Sequence, residues 1–362
     1  MILAIDTSCD ETAAAVTHDL KILSNVVWSQ AKVHAKWGGV MPSEAKRMHE
    51  ERIDEIVNLA VEQAAIDPQL LHAIAVTTGP GLAIALGVGI QKAKQLATEW
   101  GKPLIAVNHI EGHVLSPLVE NIQDLETKPM NTKNVSFPAM ALVISGAHTE
   151  LIHVEKVGKY KIVARAIDDA LGEALDKAAR MLGLGYPGGA LLEKVSHQGK
   201  LGDYPLPLPM ARREDRGEFS FSGLKTAFYR LVEKLKAQNS TLSPTQVANL
   251  ALSFQDKAFL HLTRVLQRRL KDFPAMDLLV GGGVVANEEL RKRLTTLGEA
   301  SGMSVRFSPK SLCGDNAAMI GVAAGFKFAT GEITPLESVD RLPKWKIDEK
   351  VVYNTSQAAK VD

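Results

Sequence analysis

Residues Asp6–Val16, DTSCDETAAAV, follow the apolar start Met1–Ile5 and have a counterpart at Ile144–Val154, ISGAHTELIHV, which follows the apolar run Ala139–Val143. Each reads as strand, polar turn, strand. Met1–Thr7 is a buried strand, Ser8–Thr12 a polar turn, and Ala13–Val16 and Ile22–Val27 are further strands around the His18–Lys21 turn. In the second half Ala139–Ile144 is a strand, Ser145–Thr149 a glycine-containing turn, Glu150–Val154 a returning strand, and Tyr160–Ala166 continues the sheet. Short apolar runs bounded by turn signals are strand signatures. The repeat predicts an α/β protein of two lobes with duplicated mixed-sheet subdomains around a central cleft. Polar turns facing such a cleft would suit a phosphate-bearing ligand through their backbone N–H groups.

Helical periodicity fills the spaces between strands. Glu44–Ala65 carries Ile53, Ile56, Val57, Ala60, Val61 and Ala64 at helix spacing, and a second helix is expected over about Ile84–Trp100. Further helices are expected at about Gly172–Leu182, after Asn287, and through Asp315–Phe328, with strands at Asp277–Val280 and Ser304–Phe307. Residues 120–136 are polar, aperiodic and contain Pro129, as a linker would. The expected division is an N-terminal lobe over 1–117 rejoined by the helix 315–329, a linker over 118–135, a C-terminal lobe over 136–314, and an irregular tail over 335–362.

With 362 residues, 46% of them hydrophobic, the chain can build two real cores. Its net charge of +1 excludes a global basic field, so RNA would be met by local patches or through a partner. Such patches are Arg212, Arg213 and Arg216; Arg264, Arg268, Arg269 and Lys271; and Arg291, Lys292 and Arg293, although solvated helix faces are their usual explanation. Cys9 and Cys313 make no disulfide framework. The start MILAIDTS has no basic flank and no run reaches membrane-spanning length, so a cytoplasmic setting is expected.

Several residues could carry chemistry. His109 and His113, in NHIEGHVLS (Asn108–Ser116), stand four apart and on a helix would share one face, as ligands of one metal often do. One core and one surface histidine is the plainer reading. A zincin is disfavoured, because Ile110 rather than Glu follows the first histidine. Four glycine-bearing turns, TTGPG (Thr77–Gly81), SGAHT, GYPGG (Gly185–Gly189) and GGG (Gly281–Gly283), fit either a nucleotide cleft or simple punctuation; none is a Walker loop or a dinucleotide fingerprint. Asp10 and Glu11 are adjacent and would point apart in an extended turn, serving as caps or as polar catalytic groups. Asp315 stands where a helix begins and reads first as an N-cap. Ser222 and Lys225 in FSFSGLKT lack the partner motifs of a β-lactamase-like S-x-x-K.

Taken together, AIDTSCDETAAAV, VMPSEAKRMH, TTGPGLAIALGVG, NHIEGH, SGAHTEL, DDALGEALDKAARMLGLGYPGG, FSFSGLKTAF, GGGVVAN and LCGDNAAMIG closely resemble the TsaD family, the tRNA threonylcarbamoyladenosine synthase subunit once called an O-sialoglycoprotein endopeptidase. The resemblance spans about Met1 to Ala329 and implies the actin-like, sugar kinase/Hsp70-type ATPase fold. It implies an acyltransferase that moves threonylcarbamoyl from threonylcarbamoyl adenylate to the exocyclic amine of the adenosine just 3′ of the anticodon, in tRNAs reading codons that begin with A, and releases AMP. The family's metal ligands carry over onto His109, His113 and Asp315, for one iron(II) or zinc. Substrate-binding positions carry over onto Val143, Ile144, Ser145, Gly146, Ala147, Asp176, Gly189, Glu193 and Asn287; Asp10 or Glu11 is the nominee for a proton-accepting group. Implied partners are tRNA, a TsaB-like paralogue and a TsaE-like ATPase.

Three departures from the family pattern stand out. SGAH replaces SGGH at Ser145–His148, MPSEAKRMH replaces VPELASRAH at Met41–His49, and PGGA replaces PGGP at Pro187–Ala190. None removes a metal ligand. The second falls in the helical region through which bacterial members pair with TsaB. A small-molecule kinase of this fold would have no use for the histidine pair, and a metal-free scaffold would lack it. Ala147 is expected to have negative φ, with its methyl turned away from substrate.

Overall fold

The computed structural model describes residues 1–119, 135–210, 217–352 and 360–361. The expected linker lies almost wholly outside them, as do Arg212, Arg213 and Arg216. The chain forms two compact units, one of Met1–Val135, Lys156–Lys161 and Ser308–Asp362, the other of Ser136–Glu155 and Ile162–Phe307.

The first unit opens with β1 (Ile2–Asp6), β2 (Glu11–His18) and β3 (Lys21–Ser29), then α1 (Ala31–His34), α2 (Pro42–Gln63), β4 (Ala73–Gly79), α3 (Ala83–Trp100), β5 (Leu104–Asn108) and α4 (His109–Leu115). Its sheet runs β3-β2-β1-β4-β5, antiparallel between β1 and β2 and parallel along β1, β4 and β5. Strands β1, β4 and β5 are buried at every position, which is why they read as continuous apolar runs, whereas the edge strand β3 is mostly half-exposed. Leu3, Ile5, Val16, Ile53, Val57, Ile74, Leu86, Ile90 and Leu96 form the core between this sheet and helices α2 and α3. Each such side chain contributes about 1.5–3 kcal/mol by leaving water.

The second unit repeats the pattern. It holds β6 (Ala139–Ile144), β7 (Thr149–Lys156), β8 (Lys159–Ala166), α5 (Leu171–Met181), α6 (Gly189–Ser196), β9 (Glu218–Phe219), α7 (Ser222–Asn239), α8 (Pro244–Asp272), β10 (Asp277–Gly281), α9 (Glu288–Ser301) and β11 (Ser304–Phe307), except that Lys156–Lys161, where β7 ends and β8 begins, count with the first unit. The sheet order is β11-β10-β6-β7-β8-β9, so β8-β7-β6-β10-β11 reproduces the first sheet, with β6 antiparallel to β7 and parallel to β10. The duplicated mixed sheet of the actin-like fold is thus present in both units. Two helices, α7 and α8, were not anticipated from the sequence. Yet α8 carries a readable start: Pro244 at its first turn and a capping box between Ser243 and Gln246, before buried Ala251, Phe254, Ala258, Phe259, Leu262 and Leu266.

The chain then returns to the first unit as α10 (Ala317–Ala329), followed by a mostly irregular tail that is nevertheless packed: Val339, Trp345 and Ile347 are buried. This tail changes the reading of TTGPG. Strand β4 continues through Thr77–Gly79, the Leu342 N–H donates to the Thr78 carbonyl at 2.7 Å, and a Cβ on Gly79 would run into the Leu342 carbonyl. Glycine is needed there for close approach of the chain's own tail, not for a phosphate. Among the described residues no helix is long and apolar enough to cross a membrane.

Candidate metal centre

Helix α4 is seven residues long and buried throughout, too short to persist without tertiary support. Asn108 starts it, its side-chain oxygen accepting the Ile110 N–H at 2.9 Å and the Glu111 N–H at 3.3 Å. The tail helps hold that cap, since the Asn108 side-chain amide donates to the Trp345 carbonyl at 3.4 Å. One turn of helix then sets the His109 and His113 rings 4.8 Å apart, nearly perpendicular. The plainer reading, a core and a surface histidine, does not hold, because both are buried.

Asp315 joins them from the loop ahead of α10. Its Oδ1 lies 3.4 Å from His109 Nε2 and 3.2 Å from His113 Nε2. It is not the helix cap; Asn316 is, accepting the Met319 N–H at 3.0 Å. That frees the Asp315 carboxylate, and one ligand atom from each of His109, His113 and Asp315 lies within 4.8 Å of the others. Ligands at about 2.0–2.1 Å from a tetrahedral ion stand ~3.3 Å apart, so the two histidine–carboxylate spacings suit such an ion.

The surroundings favour a cation here. Asp6 Oδ2 is buried without a hydrogen-bond partner and lies 3.5 Å from His109 Nδ1, and the Ser8 hydroxyl lies 3.1 Å from the same nitrogen. A carboxylate behind a ligating imidazole turns its other nitrogen toward the metal and raises its basicity. Asp6 and Ser8 belong to the opening DTS motif, and only the structure reveals that they serve His109. Burial pulls the His109 pKa down, but the Asp315 and Asp6 carboxylates override it and hold the imidazole well above its ordinary value. Burial dominates at His113 and lowers it. Asp315 is opposed by its own burial, yet the two imidazoles hold it well below the usual carboxylate range. The set His₂Asp with a carboxylate behind it could hold a divalent transition metal.

Glu11 lies within the electrostatic reach of both Asp10 and Asp315. Ser29 donates to Glu11 at 3.1 Å. Burial, then the nearby Asp315 and Asp10 carboxylates, push Glu11 well above the usual carboxylate range. Cys9 and Cys313 are both free thiols.

In the second unit the other expected positions form a linked set. Val143 and Ile144 end β6 in the core. Ser145 turns the chain, its N–H donating to the His148 carbonyl at 2.8 Å and its hydroxyl accepting the His148 N–H at 3.1 Å. Gly146 and Ala147 are exposed, and Ala147 is not among the residues of positive φ. Gly172 of α5 sits flush on this turn: a Cβ there would meet the Ser145 carbonyl oxygen and come within 2.9 Å of Gly146 Cα. Four residues on, Asp176 accepts the Gly188 and Gly189 N–H groups at 2.7 and 2.9 Å. From α6, Glu193 accepts the Glu288 N–H at 2.7 Å, next to Asn287, which caps α9 through the Leu290 N–H at 2.9 Å. The GGG run closes the ring, because a Cβ on Gly282 would strike the Ile144 carbonyl.

The expected basic patches are partly committed elsewhere. Arg293 pairs with Glu289 at 2.7 Å and Asp256 at 2.9 Å, Arg291 covers the Phe307 ring, and Arg269 pairs with Asp272 at 3.1 Å. Arg268 and Lys292 are exposed.

Two HypF structures are similar in fold alone: that from T. kodakarensis superposes with a TM-score of 0.58 at 14% identity, over 91% of this chain and 48% of that one. A phosphate- and nucleotide-bound HypF gives a TM-score of 0.55 at 13% identity, over 91% and 56%. Proteins called tRNA N6-adenosine threonylcarbamoyltransferase are far closer in sequence. That of Bartonella henselae is 42% identical over 96% of both chains, that of Thermomicrobium roseum 44% over 90% and 91%, and that of Clostridium perfringens 42% over 97% and 99%. The family model for TsaD, tRNA N6-adenosine threonylcarbamoyltransferase, matches residues 21–322. The chain therefore belongs to the TsaD family of tRNA N6-adenosine threonylcarbamoyltransferases, and is a tRNA-modifying transferase.

Proposed function

We propose that this transferase takes the threonylcarbamoyl group from threonylcarbamoyl adenylate and places it on the exocyclic amine of the adenosine 3′ of the anticodon, in tRNAs reading ANN codons. The observation that carries the reading is the gathering of His109, His113 and Asp315 around one point, in a chain of this family. These three would hold one iron(II) or zinc ion. When bound, the ion supplies Lewis acidity and a fixed orientation for the acyl group.

The chain's own residues do the rest. Asp6 and Ser8 hold His109 in the tautomer that offers Nε2. Val143, Ile144, Ser145, Gly146, Ala147, Asp176, Gly189, Glu193 and Asn287 are assigned to adenylate binding by the family resemblance, supported by the contacts that tie the Ser145 turn, Asp176, Gly189 and Glu193 into one set. The amine nitrogen attacks the carbamoyl carbon, the bond from that carbon to the phosphate oxygen breaks, and AMP departs with the bonding pair. An adenine amine carries little charge at neutral pH, so orientation matters first and proton removal comes late. Asp10 or Glu11 is assigned to accept that proton. Unstacking the target base costs less in an anticodon loop than in a duplex.

A TsaB-like paralogue and a TsaE-like ATPase are the partners assigned by the family resemblance, and the setting is cytoplasmic. Trp37, 54% exposed, and Met41, 41% exposed, stand just ahead of α2 and offer apolar surface for the paralogue. The test supplies purified protein with threonylcarbamoyl adenylate, unmodified tRNA and both partners, and measures modified nucleoside, AMP and bound metal. His113→Ala should lose metal and nucleoside together. Full activity in a metal-free His113→Ala protein would refute the metal assignment.

A further inference from the structure

Between the two histidines lies an acid that the proposed chemistry leaves unused. Glu111 is 4% exposed, and residues two apart on a helix do not share a face, so its carboxylate leaves α4 away from the side that carries His109 and His113. It is met there by two groups. The Tyr160 hydroxyl, at the start of β8, donates to Oε1 at 2.9 Å, and Lys327 Nζ lies 3.7 Å from Oε2. Lys327 also pairs with Glu332 at 2.7 Å. Lys327 belongs to the last turn of α10, the helix that starts two residues after Asp315.

The two ligand-bearing elements are thus joined twice. Near the metal ligands, Gly112 is pressed against α10 so closely that a Cβ would come 2.9 Å from Ile320 Cδ1 and 3.0 Å from Met319 Cγ. On the reverse side the Glu111–Lys327 pair ties α4 to the far end of α10. A seven-residue helix with apolar contacts alone could turn about its axis at little cost, because dispersion and burial are non-directional. A hydrogen-bonded carboxylate is directional. Burying it costs several kcal/mol unless it is paired, and a methionine or leucine would fill the same space without that cost.

We propose that Glu111, held by Tyr160 and Lys327, is a positioning residue that sets the rotation of α4 and so the spacing of His109 and His113 from Asp315. This rests on the metal reading above. The readout is the dissociation constant for zinc, by competition with a chromophoric chelator, together with the unfolding temperature of the zinc-free protein. Tyr160→Phe and Lys327→Met should each raise the zinc Kd by about tenfold, and Glu111→Ala by more, in the range by which groups behind metal ligands act. Glu111→Gln, which keeps an acceptor for Tyr160, should recover part of the loss.

A merely structural role makes a different prediction. It lowers the unfolding temperature of the zinc-free variants but leaves their zinc Kd unchanged, as is expected of Ile56→Val in the core of the same unit. A zinc Kd within threefold of wild type in both Tyr160→Phe and Lys327→Met overturns the proposal, whatever happens to Glu111→Ala. Wild-type protein that binds no zinc or iron, or that binds as well after His113→Ala, overturns the metal reading itself. The two failures are therefore distinguishable.

Discussion

Replacing Gly172 by alanine tests the closeness on which the Ser145–Ala147 turn depends. In general, exchanging a helical glycine for alanine stabilises by up to about 1 kcal/mol, since alanine loses less backbone entropy on folding. At Gly172 the added methyl meets the Ser145 carbonyl oxygen and stands 2.9 Å from Gly146 Cα. Both are backbone atoms, so no rotamer change relieves the contact. Overpacking of this kind costs about 1–3 kcal/mol, which exceeds the propensity gain, and Gly172→Ala should be net destabilising. Gly325, within α10, is the internal control: its Cβ would approach nothing nearer than the Asp19 carbonyl at 3.7 Å, an ordinary contact. Gly325→Ala should stabilise by about 0.5–1 kcal/mol. With about 2–4 °C per kcal/mol for units of this size, thermal unfolding should move down in the first variant and up in the second. Isothermal titration with a non-hydrolysable threonylcarbamoyl adenylate analogue should show affinity lost only in Gly172→Ala, because the displaced turn is the proposed binding loop. A Gly172→Ala protein as stable as wild type, with unchanged analogue affinity, would refute the packing argument.

Four further outcomes are expected. Asp168 accepts hydrogen bonds from the Ser220 and Ser222 hydroxyls at 2.5 and 2.7 Å and from the Phe221 N–H at 2.8 Å; its partial burial works the other way, but these donors hold it below the usual Asp value. A depressed folded pKa gives stability that is complete above the unfolded value of about 3.9 and is lost as pH falls through the folded one. Denaturant midpoints measured between about pH 5 and 3 should therefore fall less steeply in Asp168→Asn than in wild type. Ala147→Gly should change analogue affinity by less than about threefold, well under the 1.4 kcal/mol that makes a factor of ten; a tenfold gain would mean that the methyl obstructs the ligand. Arg293→Ala should cost about 1 kcal/mol in a denaturation curve, because Glu289 loses its charged donor while Asp256 keeps Lys257 at 3.2 Å, and these pairs are partly exposed. Lys292→Glu, at an exposed neighbour, should leave stability unchanged and weaken tRNA binding more at low salt than at high salt.

Local patterning in the sequence determined the strands, the duplicated order of strand, turn and strand, and the histidine pair on a helix. These are short-range properties: a buried parallel strand must be apolar on both faces, and a four-residue spacing can only mean one helical face once the helix exists. The family motifs added Asp315, which lies more than two hundred residues from His113. What the tertiary structure decided was the partners of each polar group. Nothing near Asp6 in the chain shows that its carboxylate stands behind His109, nor that the acid in NHIEGH turns toward Tyr160 and Lys327 instead of the metal side. The TTGPG turn suits a phosphate as well as a tail, and only the packing of Leu342 against Gly79 distinguishes the two. A polar or glycine residue states a requirement for a partner or for close approach. Which group satisfies it is settled by contacts between distant parts of the chain, to which local sequence periodicity is blind.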